Sequence, residues 1–205
     1  VPMLATGWTI SPDGLTYTFD IRQGVQFHNG NDLTPSDVAY TFQRGILQGG
    51  SNSPQGLLTE PLFGVGIMDV SQLVDPGGSL LDDRSALQAW DSGQVLAACT
   101  TVQSAIVADD LAGTVTFHLT QPWSPFLGTL AHTAGSIMDR EWTVANGGWD
   151  GDCVTWQDYY YVESGSDPFT SIENGTGPFT LDYWYPDTEI RLRRFDGYWR
   201  DESEP

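Results

Sequence analysis

Leu15, Tyr17, Phe19 and Ile21 alternate with Thr16, Thr18, Asp20 and Arg22. This period of two predicts a strand with one buried face. Before it, Ser11-Pro12-Asp13-Gly14 reads as a turn and Trp8-Thr9-Ile10 as a short partner strand. Gln23-Gly24 breaks the pattern, Val25 and Phe27 resume it, and Asn29-Gly30 turns the chain again. The period then changes. Thr34 is an N-cap candidate, Pro35 fits the first helical position, and Asp37 sits near the positive end of the helix dipole. Val38, Phe42 and Ile46, with Tyr40 and Leu47 beside them, form one apolar face, and Gly49-Gly50 closes the helix.

Residues 49–78 are rich in Gly, Ser and Pro and predict an ordered loop with short helical turns. Helices are expected over 82–90 and 94–104, the second with Val95, Cys99, Val102 and Ile106 on one face. Val115, Phe117 and Leu119 alternate with Thr114, Thr116, His118 and Thr120, a second strand. Short helices are expected over 125–131 and 139–145, then a second long loop over 146–177. Residues 178–185 and 189–195 flank Tyr185-Pro186-Asp187-Thr188 as a hairpin. The fold class is α+β: antiparallel hairpins and a small mixed sheet packed with helices.

Among 205 residues there are 27 Asp and Glu against 8 Lys and Arg, all of them Arg, for a formal charge of -19. That excess excludes a phosphate-binding face, so no nucleic acid is expected as a partner, and it disfavours docking on anionic lipid. No apolar run approaches the roughly 20 residues that span a bilayer. The opening Val1-Pro2 and the close at Asp201-Glu202-Ser203-Glu204-Pro205 suggest a piece of a longer protein.

Candidate chemistry is sparse. Cys99 and Cys153 allow either one disulfide or two buried free thiols, and their spacing fits neither a CxxC motif nor a zinc site. His28, His118 and His132 stand apart, so structural or solvated roles are expected for them and no metal. No Ser lies in a G-x-S-x-G elbow, and Pro178 removes an amide that a phosphate loop at Gly175-Thr176-Gly177 would need. The Asp69, Asp75, Asp82 and Asp83 region lacks the spacing of a calcium loop. Asn174-Gly175-Thr176 is a glycosylation triplet, better explained as turn residues. Trp123, Trp142, Trp149, Trp156 and Tyr159-Tyr160-Tyr161 either line a cleft or pin loops to a core, and pinning carries more weight. The carboxylate count keeps a secreted carbohydrate-active enzyme with paired carboxylates as an alternative. A structural surface module is a third.

The order of segments resembles the family 5 extracellular solute-binding proteins, which include oligopeptide- and dipeptide-binding proteins of ABC importers. The resemblance rests on Leu4-Ala5-x-x-Trp8, on the block from Asp13 to Gly30, and on Thr34-Pro35-Ser36-Asp37-Val38-Ala39-Tyr40-Thr41-Phe42. Later landmarks agree in order: Thr114 to Leu119 with Pro122 and Phe126, then Gly175-Thr176-Gly177-Pro178-Phe179, Trp184, Glu189-Ile190 and Tyr198-Trp199. Residues 62–95 and 141–173 depart from it as insertions, as does the absence of Lys.

The resemblance implies part of a two-lobed, type II periplasmic-binding-protein-like fold. Residues 1–177 would be mainly the peripheral subdomain of the first lobe, and 178–205 a hairpin joining its main sheet. The second lobe would be absent, and with it the acidic residue that captures a ligand amino terminus in peptide-binding relatives. An extracellular or periplasmic place follows, with a signal peptide and a lipoprotein anchor in the full chain. That oxidising compartment favours the Cys99–Cys153 bridge. The implied function is capture of a solute, a peptide ahead of a nickel chelate or a sugar, for delivery to ABC permease subunits. No catalytic residue and no cofactor is implied, and the piece is expected to be monomeric. The ligand-facing candidates are Ser51, Ser53 and Gln55 in one loop, and His132, Thr133 and Ser136 in another.

Overall fold

The structure is a computed structural model that describes residues 3–163 and 165–200. Its strands are β1 (Ala5–Ile10), β2 (Thr16–Ile21), β3 (Ile106–Asp109), β4 (Thr114–His118), β5 (Phe179–Tyr185) and β6 (Glu189–Arg194). Its α-helices are α1 (Pro35–Gln48), α2 (Thr59–Phe63), α3 (Ser71–Val74), α4 (Arg84–Gln88), α5 (Ser92–Ala105), α6 (Phe126–Leu130) and α7 (Arg140–Ala145). Four strands form a sheet in the order β1-β2-β4-β3, and β5-β6 form a second sheet of two strands.

The first hairpin forms where the alternation and turn residues place it. Trp8 pairs with Phe19 across β1 and β2. Asp13 Oδ1 accepts the Leu15 amide at 3.1 Å, and Gly14 takes the left-handed conformation at φ 72° that closes the turn. On the other edge of β2, Tyr17 pairs with Phe117 of β4.

Two expectations are corrected here. All three strand pairings of the four-stranded sheet are antiparallel, so it is not a mixed sheet. Ile106 does not extend the helical face of Val95, Cys99 and Val102: it is the extended C-cap residue of α5 and opens β3. Asp109 Oδ1 accepts the Leu111 and Ala112 amides, which turns β3 back onto β4. Ile106 stays fully buried through the change of period, so hydrophobicity alone could not mark the boundary.

Helix α1 covers one face of this sheet. Its start is a full capping box, in which Thr34 Oγ1 receives the Asp37 amide and Asp37 Oδ2 receives the Thr34 amide at 2.8 Å. Val38, Phe42, Ile46 and Leu47 are all buried. The Phe42 and Phe117 rings meet edge to face at 5.3 Å, and Phe117 meets Phe19 at 5.7 Å and Phe126 of α6 at 5.4 Å. Such pairs add roughly 0.5–1.5 kcal/mol each beyond the area they bury.

Residues 62–95 and 141–173 fold against each other. Arg84 donates to the carbonyls of Tyr160 and Tyr161 at 2.8 and 2.9 Å, and Gln88 donates to Asp158 at 2.7 Å. Trp156 donates its indole N–H to Val95 O of α5 at 2.9 Å, and the Cys99–Cys153 disulfide joins the same helix to the loop. Trp149, Trp156 and Tyr160 are fully buried, so these loop aromatics pin the chain down. The β5-β6 hairpin is different. Phe179, Trp184, Tyr185, Ile190 and Leu192 are all exposed on it, and β6 is exposed along its whole length.

Candidate ligand-binding face

The two candidate loops lie 80 residues apart in sequence and on the same pair of helices. Ser53 begins a short 3-10 helix over Pro54–Leu58, and Thr133–Gly135 forms another. Both pack against α1 and α6. Helix α1 ends at Gly49 with φ 50°, and Gly50 follows at φ 89°. These left-handed positions swing the chain out to Ser51. Ser51 is exposed, and its amide and hydroxyl donate to the two oxygens of Asp82 at 2.8 and 2.6 Å. Ser53 is half-buried, with its amide on Gly50 O at 3.0 Å. The Gln55 side chain lies outside the described part. In the other loop His132, Thr133 and Ser136 are exposed, with Thr133 Oγ1 3.2 Å from His132 Nδ1 and the Ser136 amide on Thr133 O at 3.1 Å.

These groups are polar hydrogen-bonding groups, and the Ser51 amide and hydroxyl already donate to Asp82. Cavities of about 280 and 460 Å³ lie elsewhere, the first beside β3 with Tyr40, Gln43 and Arg140 in its lining, the second with Asp32, Asp139 and Glu141 in its lining. None of the candidate residues lines either.

The cations outside the hairpin region are engaged within the chain. Arg22 donates to Met3 O at 3.0 Å and stands over the Trp199 ring at 4.7 Å. Arg44 is buried against Phe169, 4.8 Å from the ring centre, and burial lowers its pKa. Arg84 holds the Tyr160-Tyr161 backbone, and Arg140 donates to Asp150 O at 3.2 Å.

The buried carboxylates serve as acceptors for the backbone and for neutral side chains. Asp69 accepts from Tyr160 Oη at 2.9 Å, the Gly50 amide at 2.6 Å and the Ser71 amide at 2.8 Å. Asp139 caps α7 through the Trp142 amide at 3.0 Å, while its second oxygen accepts the side-chain amides of Asn29, Asn31 and Asn174 at 2.8, 2.8 and 2.9 Å. Burial also pushes the Tyr40 phenol up to about 12 and raises that of Tyr160.

Asn29-Gly30 and Asn174-Gly175 read as separate turns along the sequence, whereas the structure joins them. Besides sharing Asp139, Asn174 accepts the Asn29 amide at 3.0 Å, and Gly175 O accepts the His28 amide at 2.9 Å. Two Asn-Gly pairs flanking conformational breaks are the signal that could have linked them. Asn174 is buried in this contact, in keeping with a turn role for the triplet. His28 is held between Glu173 and the Gly177 carbonyl, and His118 is exposed.

Comparison with known proteins places this architecture. A profile of bacterial extracellular solute-binding proteins, family 5 Middle, matches residues 1–205. The chain is 30% identical over 206 residues to di/tripeptide-binding protein 2 of Pseudomonas aeruginosa, covering 98% of this chain and 30% of that protein. It is 28% identical over 210 residues to the dipeptide-binding protein of Escherichia coli, covering 97% and 30%. The chain thus spans about 30% of the length of these curated relatives. Among solved structures it resembles the ABC transporter-associated periplasmic binding protein DppA from Helicobacter pylori in complex with peptide STSA, at TM-score 0.55 and 24% identity, covering 98% of this chain and 31% of that one; the likeness is one of fold. The chain belongs to the bacterial extracellular solute-binding proteins of family 5.

Proposed function

We propose that this chain is part of the substrate-binding component of an ABC importer, which captures a peptide outside the cell membrane and delivers it to permease subunits. The match of the family profile along residues 1–205 carries this reading, and the relatives named for dipeptides and tripeptides supply the solute class. On this reading residues 1–177 form mainly the peripheral subdomain of the first lobe. The hairpin from 178 joins the main sheet of that lobe, which gives its exposed Phe179, Trp184, Ile190 and Leu192 a place to be buried. The full protein works outside the cytoplasm, held by a lipid anchor. Ser51, Ser53, Gln55, His132, Thr133 and Ser136 face the solute, supported by the packing of both loops on α1 and α6. The use of Asp37, Asp69 and Asp139 as acceptors for caps and loops favours a binding module over a paired-carboxylate enzyme.

Calorimetry of the full-length protein against a di- to pentapeptide library, a sugar panel and nickel chelates tests the reading. Micromolar peptide binding is expected. Binding of a sugar or chelate with no response to any peptide would overturn the solute class. His132→Ala and Ser136→Ala should each weaken binding about 2–10-fold, the worth of one neutral hydrogen bond. The isolated 205-residue chain supplies one wall of a cleft, so its peptide affinity should be no better than about millimolar, near -4 kcal/mol.

A further inference from the structure

The join between the hairpin and the body runs through one histidine. The His28 side chain is 8% exposed, and both of its ring nitrogens face oxygen acceptors. Nδ1 is 2.8 Å from Glu173 Oε2, and Nε2 is 3.0 Å from Gly177 O. The other oxygen of Glu173 accepts the Leu181 amide of β5 at 2.7 Å. Beyond the end of β6, the Phe195 ring stands edge to face on the imidazole at 4.9 Å, and the Phe195 amide donates to Pro178 O at 2.8 Å. His28 and Glu173 therefore tie the β2–α1 connection to β5 and to Phe195, just past β6, in a hairpin that is otherwise largely exposed.

A neutral imidazole has one N–H, and only the imidazolium can donate to both acceptors. We propose that His28 is a proton-operated clasp that fastens the β5-β6 hairpin to the body of the domain. In the charged state Nδ1–H donates to the Glu173 carboxylate and Nε2–H to Gly177 O. On deprotonation Nε2–H keeps Gly177 O, and Nδ1 turns a lone pair toward Glu173. The Gly175 amide already lies 3.3 Å from Nδ1 and 3.2 Å from Glu173 Oε2. It can donate to the neutral ring instead, which leaves Glu173 and its hold on Leu181 free to move. The groups facing the ring are Glu173 from the loop and uncharged Phe195 from the hairpin end. Asp139 stands one residue behind, through Asn29 and Asn174. The clasp is therefore strongest with the imidazole charged and weakens as rising pH removes its proton.

Hydrogen exchange on the full-length protein without ligand tests this, at pH 5.5, 6.5, 7.5 and 8.5 with rates corrected for intrinsic chemistry. Protection of the Leu181 amide, which Glu173 accepts, should fall about tenfold across the series, the equivalent of one charge-assisted hydrogen bond, while β2 and β4 hold theirs. His28→Gln and Glu173→Gln should each abolish that dependence. Leu181 protection that changes less than twofold in the wild type overturns the proposal, as does undiminished pH dependence in His28→Gln. The wild-type series decides alone if a variant does not fold. Because no ligand enters the measurement, a negative result leaves the peptide-binding reading standing.

Discussion

Replacing Cys153 by Ser should cost the protein about 3–4 kcal/mol of stability. The bridge spans 54 residues between Cys99 and Cys153. In the chain-entropy model, a loop of that length restricts the unfolded chain by about 14 cal/mol/K, or about 4 kcal/mol at 25 °C. The folded state should change little. Cys153 is half-buried, so Ser can keep water, and Cys99 is fully buried, where a free thiol behaves as a small apolar group. The loop also keeps its other anchors on the same side: the Trp156 indole on Val95 O and the stack of Trp149 on Tyr40 at 5.8 Å. The loss therefore falls mainly on the unfolded state. Urea unfolding followed by Trp fluorescence should give a free energy lower by about 3–4 kcal/mol. With a urea slope of about 2–3 kcal/mol/M, that moves the midpoint by about 1.5 M. Reduced wild-type protein should match the variant. A loss below about 1 kcal/mol under oxidising conditions would show that the noncovalent anchors already restrict the unfolded loop, and the entropy argument would fail.

Asp139→Asn should destabilise the protein by about 2–4 kcal/mol in thermal unfolding, because one buried oxygen now accepts three side-chain amides and an Asn cannot serve them all. Gly49→Ala should cost about 3 kcal/mol or more, since the new Cβ would lie 2.7 Å from Asp69 Oδ2 and against the Tyr160 ring at a left-handed φ; a loss under 1 kcal/mol would contradict this geometry. Stability should also fall as pH rises above the free tyrosine value of about 10. There the unfolded chain releases the Tyr40 proton, while the buried phenol holds it up to about 12. Urea midpoints measured from pH 9 to 11.5 should drop less steeply in Tyr40→Phe than in the wild type.

The parts of the fold legible in the sequence are those governed by neighbours along the chain. The alternation from Leu15 to Ile21, the Thr34 cap and the Gly49-Gly50 stop are local decisions, and each element forms where its own residues direct. The Phe179–Arg194 hairpin follows the same logic, with Asp187 at φ 58° in its turn. Ile106 shows the limit. A buried β-branched residue satisfies either a helix face or a strand face, and only pairing with β4 decides between them. The contacts that organise the candidate face were less legible. Ser51 is held by Asp82, Gly50 by Asp69, and the 132–136 turn packs on α1, all through partners remote in sequence. A carboxylate in a loop carries no mark of whether it will be solvated or, like Asp69 and Asp139, become a buried acceptor.

Charge distribution bears on what such a face can select. With a formal charge of -19 and the four Arg outside the hairpin region engaged within the chain, the field around this part of the protein is negative. At physiological ionic strength it decays over about 8 Å, so it acts on encounter more than on the bound complex. On the proposed reading, the candidate hydroxyls and imidazole would grip the amide groups common to all peptides. The field would favour peptides with an unpaired amino terminus or basic side chains and slow those rich in Asp and Glu. Discrimination by charge would then show as an association rate that falls with salt for basic peptides. Discrimination by hydrogen bonding would show in dissociation rates that salt barely moves. Stopped-flow binding of a basic and an acidic tripeptide to the full-length protein at 20 and 200 mM salt separates the two. Equal association rates at low salt would mean that the negative surface of this chain lies away from the path the ligand takes.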